Sequence, residues 1–461
     1  MRLFGTSGIR GILGKDLTLE KIFKIGLAIG TYYEKENKTI VGWDCRRTSA
    51  SIVTFLTGIL TSLGIHTELC GLVTTPALQK YIFDTRDYDF GLIITASHNP
   101  PEYNGIKLID DEGFEATEQL EDAISKIFDS NMFRLPSADN VGKVKENSLV
   151  VNHYIESLIK HLNEDILRHD GQKIKVLLDH ANCTTLNVIP KIVYKTKKLH
   201  LVNTNSLIDG HFPNRPSEPK PENLIKASNL VNKYGFDIGL AFDGDGDRAI
   251  LIDDEGVAWW GDVTGTLIAT YLTDFGIKLK SVVTPVTSSS IVEIVLEEYS
   301  IKTYRTKVGA KHIVAKMKET NSILGFEENG GVIFAPHLYA RDGGIALILL
   351  INLIHHWGKK LSKLLSNIPR LIQVKDKIVL TKNVNIHELL MNLESALSKN
   401  AFNVEMIDGI KVFYDIDRWV LIRPSGTEPV IRVFVESNNL DDAINLLKTA
   451  KALVNKYICV T

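Results

Sequence analysis

Ser97, in the run Thr95-Ala96-Ser97-His98-Asn99-Pro100, and the aspartates of Asp243-Gly244-Asp245-Gly246-Asp247-Arg248 are the residues of this chain best suited to chemistry. The first run offers a hydroxyl nucleophile on a short polar turn. The second sets three carboxylates at alternate positions. Oxygen ligands so spaced suit a hard divalent cation such as Mg²⁺. Alternate side chains after a strand point the same way, so the carboxylates can gather on one ion. A serine beside such a metal fits phosphoryl transfer through a covalent phosphoenzyme. A calcium loop of the EF-hand type fits less well. It wants Gly where Arg248 stands, Glu where Asp254 stands, and a preceding helix where this sequence reads as strand. A bare acidic turn is the blander alternative, but crowded, unpaired carboxylates repel one another, which favours a bound cation.

Five stretches in a fixed order carry a wider likeness: Phe4-Gly5-Thr6-Ser7-Gly8-Ile9-Arg10-Gly11, residues 95–100, residues 243–248, Phe326-Glu327-Glu328-Asn329-Gly330-Gly331, and Arg423-Pro424-Ser425-Gly426-Thr427-Glu428-Pro429. Through them the chain resembles the α-D-phosphohexomutases: phosphoglucomutase, phosphomannomutase and phosphoglucosamine mutase. The Glu-Glu-Asn-Gly-Gly form is similar to the archaeal branch. The resemblance implies a phosphoryl group carried on Ser97, and Mg²⁺ held by Asp243, Asp245, Asp247 and an oxygen of the modified Ser97. It implies Arg10, Lys107 and Arg248 beside the reacting phosphoryl group, where they would stabilise charge or help move a proton. It places His98 and Lys307 among substrate contacts, and Glu327 and Asn329 on the sugar hydroxyls. It makes Arg423, Ser425, Gly426 and Thr427 a phosphate cradle, to which Arg432 adds charge. Taken without the resemblance, Arg10 reads as a surface cation, Lys107 as a strand-face charge, and the last two motifs as turns.

The sequence departs from the family pattern at several points. Phe326 stands where a glycine is usual and would narrow its loop. Asn329 replaces a serine. Ala310 and Gly331 stand where some members carry histidine. Arg423-Pro424-Ser425-Gly426 is similar to the phosphoglucomutase/phosphomannomutase branch, whereas many glucosamine mutases have Ala in place of Pro424.

These residues need a frame. At 461 residues the chain suggests three or four domains. Hydrophobic residues make up 44% and charged residues 23%, ordinary for a globular protein. A net charge of −2 argues against a general nucleic-acid or membrane-surface binder. The start of the chain has no apolar signal core, and the run at 345–354 is too short to cross a bilayer and reads as a buried helix. A cytoplasmic location follows, and the widely spaced Cys45, Cys70, Cys183 and Cys459 read as reduced thiols that pack. Early in the chain, helix signals at 19–33 and 49–62 alternate with strand signals at 39–43 and 89–95, which predicts α/β layers with mainly parallel sheets. Strands are expected at 173–178 and 199–203, with a helix at 185–194. The proline-dense stretch 209–222 predicts an extended, ordered loop.

An internal echo is more telling. Leu108-Ile-Asp-Asp-Glu-Gly113 recurs as Leu251-Ile-Asp-Asp-Glu-Gly256, and the preceding Tyr88-Asp-Phe-Gly-Leu92 matches Phe236-Asp-Ile-Gly-Leu240. Two units thus share one plan: strand, variable loop, strand, acidic turn. In the first the variable loop holds Ser97; in the second it holds the aspartates. Residues 323–334 again read as strand, polar loop, strand. After about residue 367 strands at 411–414, 419–423 and 430–436, with helices at 387–398 and 440–454, predict a small α+β domain. The expected layout is three similar α/β domains (1–150, 151–256 and 257–366) and a C-terminal α+β domain (367–461) around a central cleft.

The expected activity is interconversion of hexose 1-phosphate and hexose 6-phosphate, with glucose or mannose as the sugar, through phospho-Ser97 and a hexose 1,6-bisphosphate that also serves as activator. Phosphoglucosamine mutase is the alternative. A phosphoserine-dependent phosphatase and a non-catalytic sugar-phosphate sensor are weaker ones. The partners expected are small sugar phosphates, not nucleic acid or membrane, and a homo-oligomer is compatible with the sequence.

Overall fold

The β/α alternation at the start of the chain becomes a six-stranded sheet in the computed structural model, which describes residues 3–5, 7–34, 36–380, 384–425 and 429–458. Lys38–Trp43 is central, parallel to His66–Leu72 on one side and to Phe90–Ile94 on the other. Tyr103–Asp110 then runs antiparallel to Phe90–Ile94, and Ile9–Ile12 runs antiparallel to Tyr103–Asp110. Val144–Glu146 closes the far edge. Helix Leu19–Tyr32 starts where the Thr18 hydroxyl accepts from the backbone N–H of Lys21. Helix Ser49–Ser62 is followed by Gly64 at φ +85°, a left-handed turn that suits glycine. Ile25, Ile29, Leu56 and Leu60 of these helices bury against Val41, Phe90 and Leu92 of the sheet.

The second sheet repeats the plan. Ile174–Asp179 is parallel to Leu199–Thr204 and to Ile238–Phe242, while Ala249–Ile252 returns antiparallel to Ile238–Phe242 and pairs with Ala258–Trp259. Both sheets are therefore mixed, because the strands after residues 94 and 242 fold straight back alongside their predecessors. The echoed hexads form the same turn. Asp110 Oδ1 accepts from the N–H groups of Glu112 and Phe114, and Asp253 Oδ1 from those of Glu255 and Val257. Gly113 and Gly256 sit at φ +82° and +83°. A Cβ on either would strike a carbonyl, of Gln79 at 2.4 Å or of Ser228 at 2.5 Å. Between residues 185 and 195 the helix is α only over Thr185–Val188 and continues as a 3₁₀ turn, Ile189–Lys195, where Pro190 removes a donor. The stretch 209–222 is not extended but a loop of turns and bends, with the Phe212 N–H on the carbonyl of Asp209 at 3.0 Å and Phe212 at φ +52°, before a short 3₁₀ turn at Pro221–Asn223.

Two compact units contain these elements. The first is Met1–Gly261 with Asn329–Ser362, which adds the antiparallel pair Val332–Phe334 and Leu338–Arg341 and the helix Gly343–Trp357. Asp342 caps that helix by accepting from Gly344 and Ile345, and its residues are buried through Leu353, as the apolar run predicts. The second is Asp262–Glu328 with Lys363–Thr461. In it Ser281–Pro285 is parallel to Lys302–Thr306 and Leu324–Phe326. An antiparallel sheet follows in the order Ile372–Val379, Val430–Ser437, Arg418–Pro424, Ile410–Asp415, Asn403–Glu405. Helices Ile386–Leu397 and Leu440–Ile458 pack on one face through Leu389, Leu393, Leu446 and Val454. Ile372–Val379 escapes the sequence pattern because Lys375-Asp376-Lys377 interrupts its alternation. Among the described residues no helix is long and apolar enough to cross a membrane.

The cysteines correct one expectation. Cys45 and Cys183, separated by 138 positions, form a disulfide with Cα atoms 5.3 Å apart. Each lies in the loop just after a parallel strand, and the topology, invisible in the spacing, brings the loops together. Cys70 is a free thiol whose pKa burial pushes up; Cys459 lies outside the described residues.

Candidate active site

The metal loop grows from Ile238–Phe242, a wholly buried strand, and returns through Ala249–Ile252. Gly246 at φ +73° lets the chain turn between them, and a Cβ there would meet Thr185 and Thr74 at 2.7 and 2.8 Å. Asp243, Asp245 and Asp247 are all buried, with one carboxylate oxygen from each lying within 4.8 Å of the others. Asp243 Oδ2 accepts from the Ser97 hydroxyl at 2.7 Å. Asp245 Oδ2 accepts from Lys107 Nζ and Thr75 Oγ1, both at 2.6 Å. Asp247 Oδ2 accepts from Arg341 Nη2 at 2.7 Å and Lys107 Nζ at 3.2 Å. Oδ1 of Asp245 and Oδ1 of Asp247 are buried without a hydrogen-bond partner. Orphaned carboxylate oxygens in a cluster this close suit a hard cation, so the donor set fits Mg²⁺.

Electrostatics agree with that fit. Burial, then the charges of Asp245 and Asp247, hold the Asp243 carboxyl well above the usual range. Burial would also raise Asp245, but Lys107, with hydrogen bonds from Thr75 and Asp243, outweighs it and keeps that group ionised. Lys107 is raised: burial opposes its charge, and Asp245 and Asp247 more than compensate.

Ser97 follows Phe90–Ile94 on a tight turn and has φ +51°. Its hydroxyl lies 3.2 Å from His98 Nδ1 as well as on Asp243. Burial, then Arg248 and Arg10, push the His98 imidazole well below its ordinary pKa. The two loops touch at Gly244, where a Cβ would meet the Ser97 carbonyl at 2.8 Å. Arg10, on the edge strand opposite Gly105, donates to Asn99 Oδ1 at 2.8 Å. Arg248 Nε is 3.8 Å from Asp247 Oδ1, an ion-pair distance. The first unit thus brings together Ser97, His98, Arg10, Lys107, Arg248 and the three aspartates. Sequence reasoning missed Thr75 and Arg341, which hold aspartate oxygens from distant segments and carry no motif.

Other candidates fall elsewhere. Asn329, in the first unit, accepts from the N–H of Gly331 at 3.2 Å, the turn chemistry that Asn-Gly suggests. Glu327, in the second unit, is buried. Phe326 does not narrow the loop. Its ring is buried under helix Gly261–Asp274, where a Cβ at Gly265 would strike it at 2.1 Å. Lys307 is exposed just after Lys302–Thr306. Arg423 and Arg432 oppose each other across the antiparallel pair Arg418–Pro424 and Val430–Ser437. Arg423 Nε donates to Asp408 Oδ2 at 2.9 Å, and the Ser425 N–H to the carbonyl of Val430 at 2.9 Å. Gly426 and Thr427 lie outside the described residues.

Comparison with known proteins matches most of the chain's length. Four phosphoglucomutase/phosphomannomutase family models match it: alpha/beta/alpha domain I at residues 1–135, domain II at 152–256, domain III at 260–371 and the C-terminal domain at 372–452. A phosphoglucosamine/phosphogalactosamine mutase of Sulfurisphaera tokodaii is 36% identical over 98% of this chain and 99% of its own. A phosphoglucomutase/phosphomannomutase of Thermococcus kodakarensis is 32% identical over 99% of both. Among solved structures, a phosphoglucomutase/phosphomannomutase family protein of Burkholderia thailandensis shares the fold, with a TM-score of 0.83 at 23% identity over 99% of this chain and 97% of that one. The chain therefore belongs to the phosphoglucomutase/phosphomannomutase family, the phosphohexomutase isomerases.

Proposed function

We propose that the chain interconverts hexose 1-phosphates and hexose 6-phosphates through phospho-Ser97 and a hexose 1,6-bisphosphate. The observation supporting this most is the Ser97 hydroxyl 2.7 Å from Asp243, beside two aspartates with a bare oxygen each. In the first half-reaction the P–Oγ bond of phospho-Ser97 breaks as a P–O6 bond forms on the hexose 1-phosphate. The proton lost by O6 is formally the one that Oγ regains. The bisphosphate then reverses, Oγ takes the phosphoryl group from O1, and hexose 6-phosphate leaves. Mg²⁺ on Asp243, Asp245 and Asp247 would supply Lewis-acid stabilisation of phosphoryl oxygens. Arg10, Lys107 and Arg248 balance charge around the transfer. Arg423, Ser425, Gly426, Thr427 and Arg432 take the phosphate that is not reacting, Glu327 and Asn329 the sugar hydroxyls, and His98 and Lys307 further substrate contacts. A phosphatase needs only one phosphate site, which weighs against that reading.

For the sugar, Arg423-Pro424-Ser425-Gly426 favours glucose or mannose, and the name of the Thermococcus relative agrees. Relatives named as glucosamine mutases favour glucosamine equally well. Side-by-side rates on glucose, mannose and glucosamine 1-phosphates, each with a trace of its 1,6-bisphosphate and Mg²⁺, separate the two. Inactivity on all three, or full activity of Ser97→Ala, overturns the proposal.

A further inference from the structure

Ser97 is held in the left-handed region, which a serine adopts only where its surroundings over-determine it. Most of those surroundings lie outside the five stretches that carry the family likeness. Arg46 is buried behind the Ser97 turn, and its guanidinium donates to four backbone carbonyls of that segment. Nη2 reaches Ser97 at 2.8 Å and Asn99 at 2.6 Å; Nη1 reaches Pro100 and, at 3.0 Å, Tyr103. Asp44 aims the guanidinium by accepting from Arg46 Nε at 3.0 Å. Asp44 Oδ2 also accepts from Thr95 Oγ1 at 2.6 Å, and that hydroxyl accepts from the Ser97 N–H at 2.8 Å. The turn is thus gripped at its carbonyl side by Arg46 and at its amide side by Asp44 through Thr95.

The proline-dense loop closes the grip. Ser217 Oγ donates to the same Ser97 carbonyl at 2.9 Å. The Phe212 ring lies 5.0 Å from the Arg46 guanidinium, a cation–π stack. Arg215 Nη2 donates to the carbonyl of Phe242 at 2.6 Å, one residue before the metal ligand Asp243. One stiff segment therefore holds the serine turn with one side chain and the root of the metal loop with another. Prolines at 213, 216, 219 and 221 restrict the backbone that carries them.

We propose that Arg46, aimed by Asp44, and Ser217 are positioning residues that keep the Ser97 hydroxyl on Asp243, with the loop 209–222 setting the distance between nucleophile and metal loop. This rests on Ser97 being the phosphoryl carrier. On the serine turn Arg46 touches only backbone carbonyls, so its role there is geometric, and lysine, with one ammonium for four carbonyls, cannot replace it.

The test uses the full chain with Mg²⁺ and glucose 1,6-bisphosphate, measuring kcat, KM, Mg²⁺ affinity by calorimetry, and Ser97 phosphorylation by intact mass. Arg46→Lys is expected to lower kcat and the phosphorylation rate together by about 10²-fold, the scale of a 1 Å misplacement. KM, and Mg²⁺ affinity measured on the unphosphorylated protein, where the aspartates supply the protein ligands, should stay within about twofold, because ground-state binding is untouched. Ser217→Ala, a milder change that keeps the test alive if Arg46→Lys does not fold, is expected to lower kcat by roughly tenfold, as for one lost oriented hydrogen bond. Wild-type kcat in both folded variants, or losses confined to KM or Mg²⁺ affinity, overturns the clamp. Full turnover of Ser97→Ala overturns the phosphoserine reading instead. An inactive Ser97→Ala beside fully active clamp variants sinks the clamp alone.

Discussion

Lys107 and Arg341 each occupy one oxygen of an aspartate and leave the other oxygen bare. That division gives Arg341 a measurable role. Arg341→Met removes one of two cations on Asp247 Oδ2, with Lys107 remaining, so the cost falls below the about 3–5 kcal/mol of a buried charge left unpaired. Mg²⁺ supplies the missing charge, so the loss of thermal stability is expected to be large in EDTA and much smaller with Mg²⁺. An equal loss in both conditions would detach Arg341 from the metal loop. Gly244→Ala is expected to slow turnover at least tenfold, because its Cβ displaces the Ser97 carbonyl 2.8 Å away; steady-state kinetics on the soluble variant check it. At this scale the sequence was legible wherever spacing itself encodes geometry, as in alternate aspartates after a strand. It was illegible where a partner comes from a remote strand. Arg341 stands in Ala340-Arg341-Asp342-Gly343, which reads as nothing more than a helix start.

Repeated elements report on themselves. The Gly113 and Gly256 turns share φ, Asx hydrogen bonds and a carbonyl that excludes a side chain. Alanine at either is expected to cost about 1–3 kcal/mol, read from urea unfolding. The echo was visible as letters, and its meaning was a turn that fixes how a loop-bearing hairpin ends. In the C-terminal sheet, Lys411 is buried under Trp419 and donates to the carbonyl of Val286 at 2.9 Å. Burial first, then Arg305, lowers its pKa to about 7. The unfolded chain therefore binds the extra proton between about pH 7 and the ordinary lysine value. The penalty is full below pH 7 and fades as pH rises through that window. Lys411→Met is expected to stabilise the protein at pH 7 and to flatten the rise of stability between pH 7 and 10; an unchanged slope would count against it. Nothing in the sequence marks Lys411, since an apolar-alternating strand with one lysine reads as an exposed position.

Across the whole chain the described metal donors all belong to the first unit. Thermal unfolding is expected to show two transitions, only one of which Mg²⁺ raises, by about 2.7 kcal/mol at a hundredfold excess over Kd. Calorimetry with and without Mg²⁺ decides it, and a single transition moving as a whole would contradict it. The link between Cys45 and Cys183 closes a long loop inside that same unit. Loop-closure entropy sets its contribution at about 4–5 kcal/mol. Cys183→Ser, or treatment with a strong reductant, is expected to lower the melting temperature of the Mg²⁺-sensitive transition. Between the two cysteines the chain runs through an exposed stretch at 135–141. A protease cutting there would sever the polypeptide without releasing a fragment. The nicked protein would migrate as one band on a denaturing gel until a thiol is added, and only then as two.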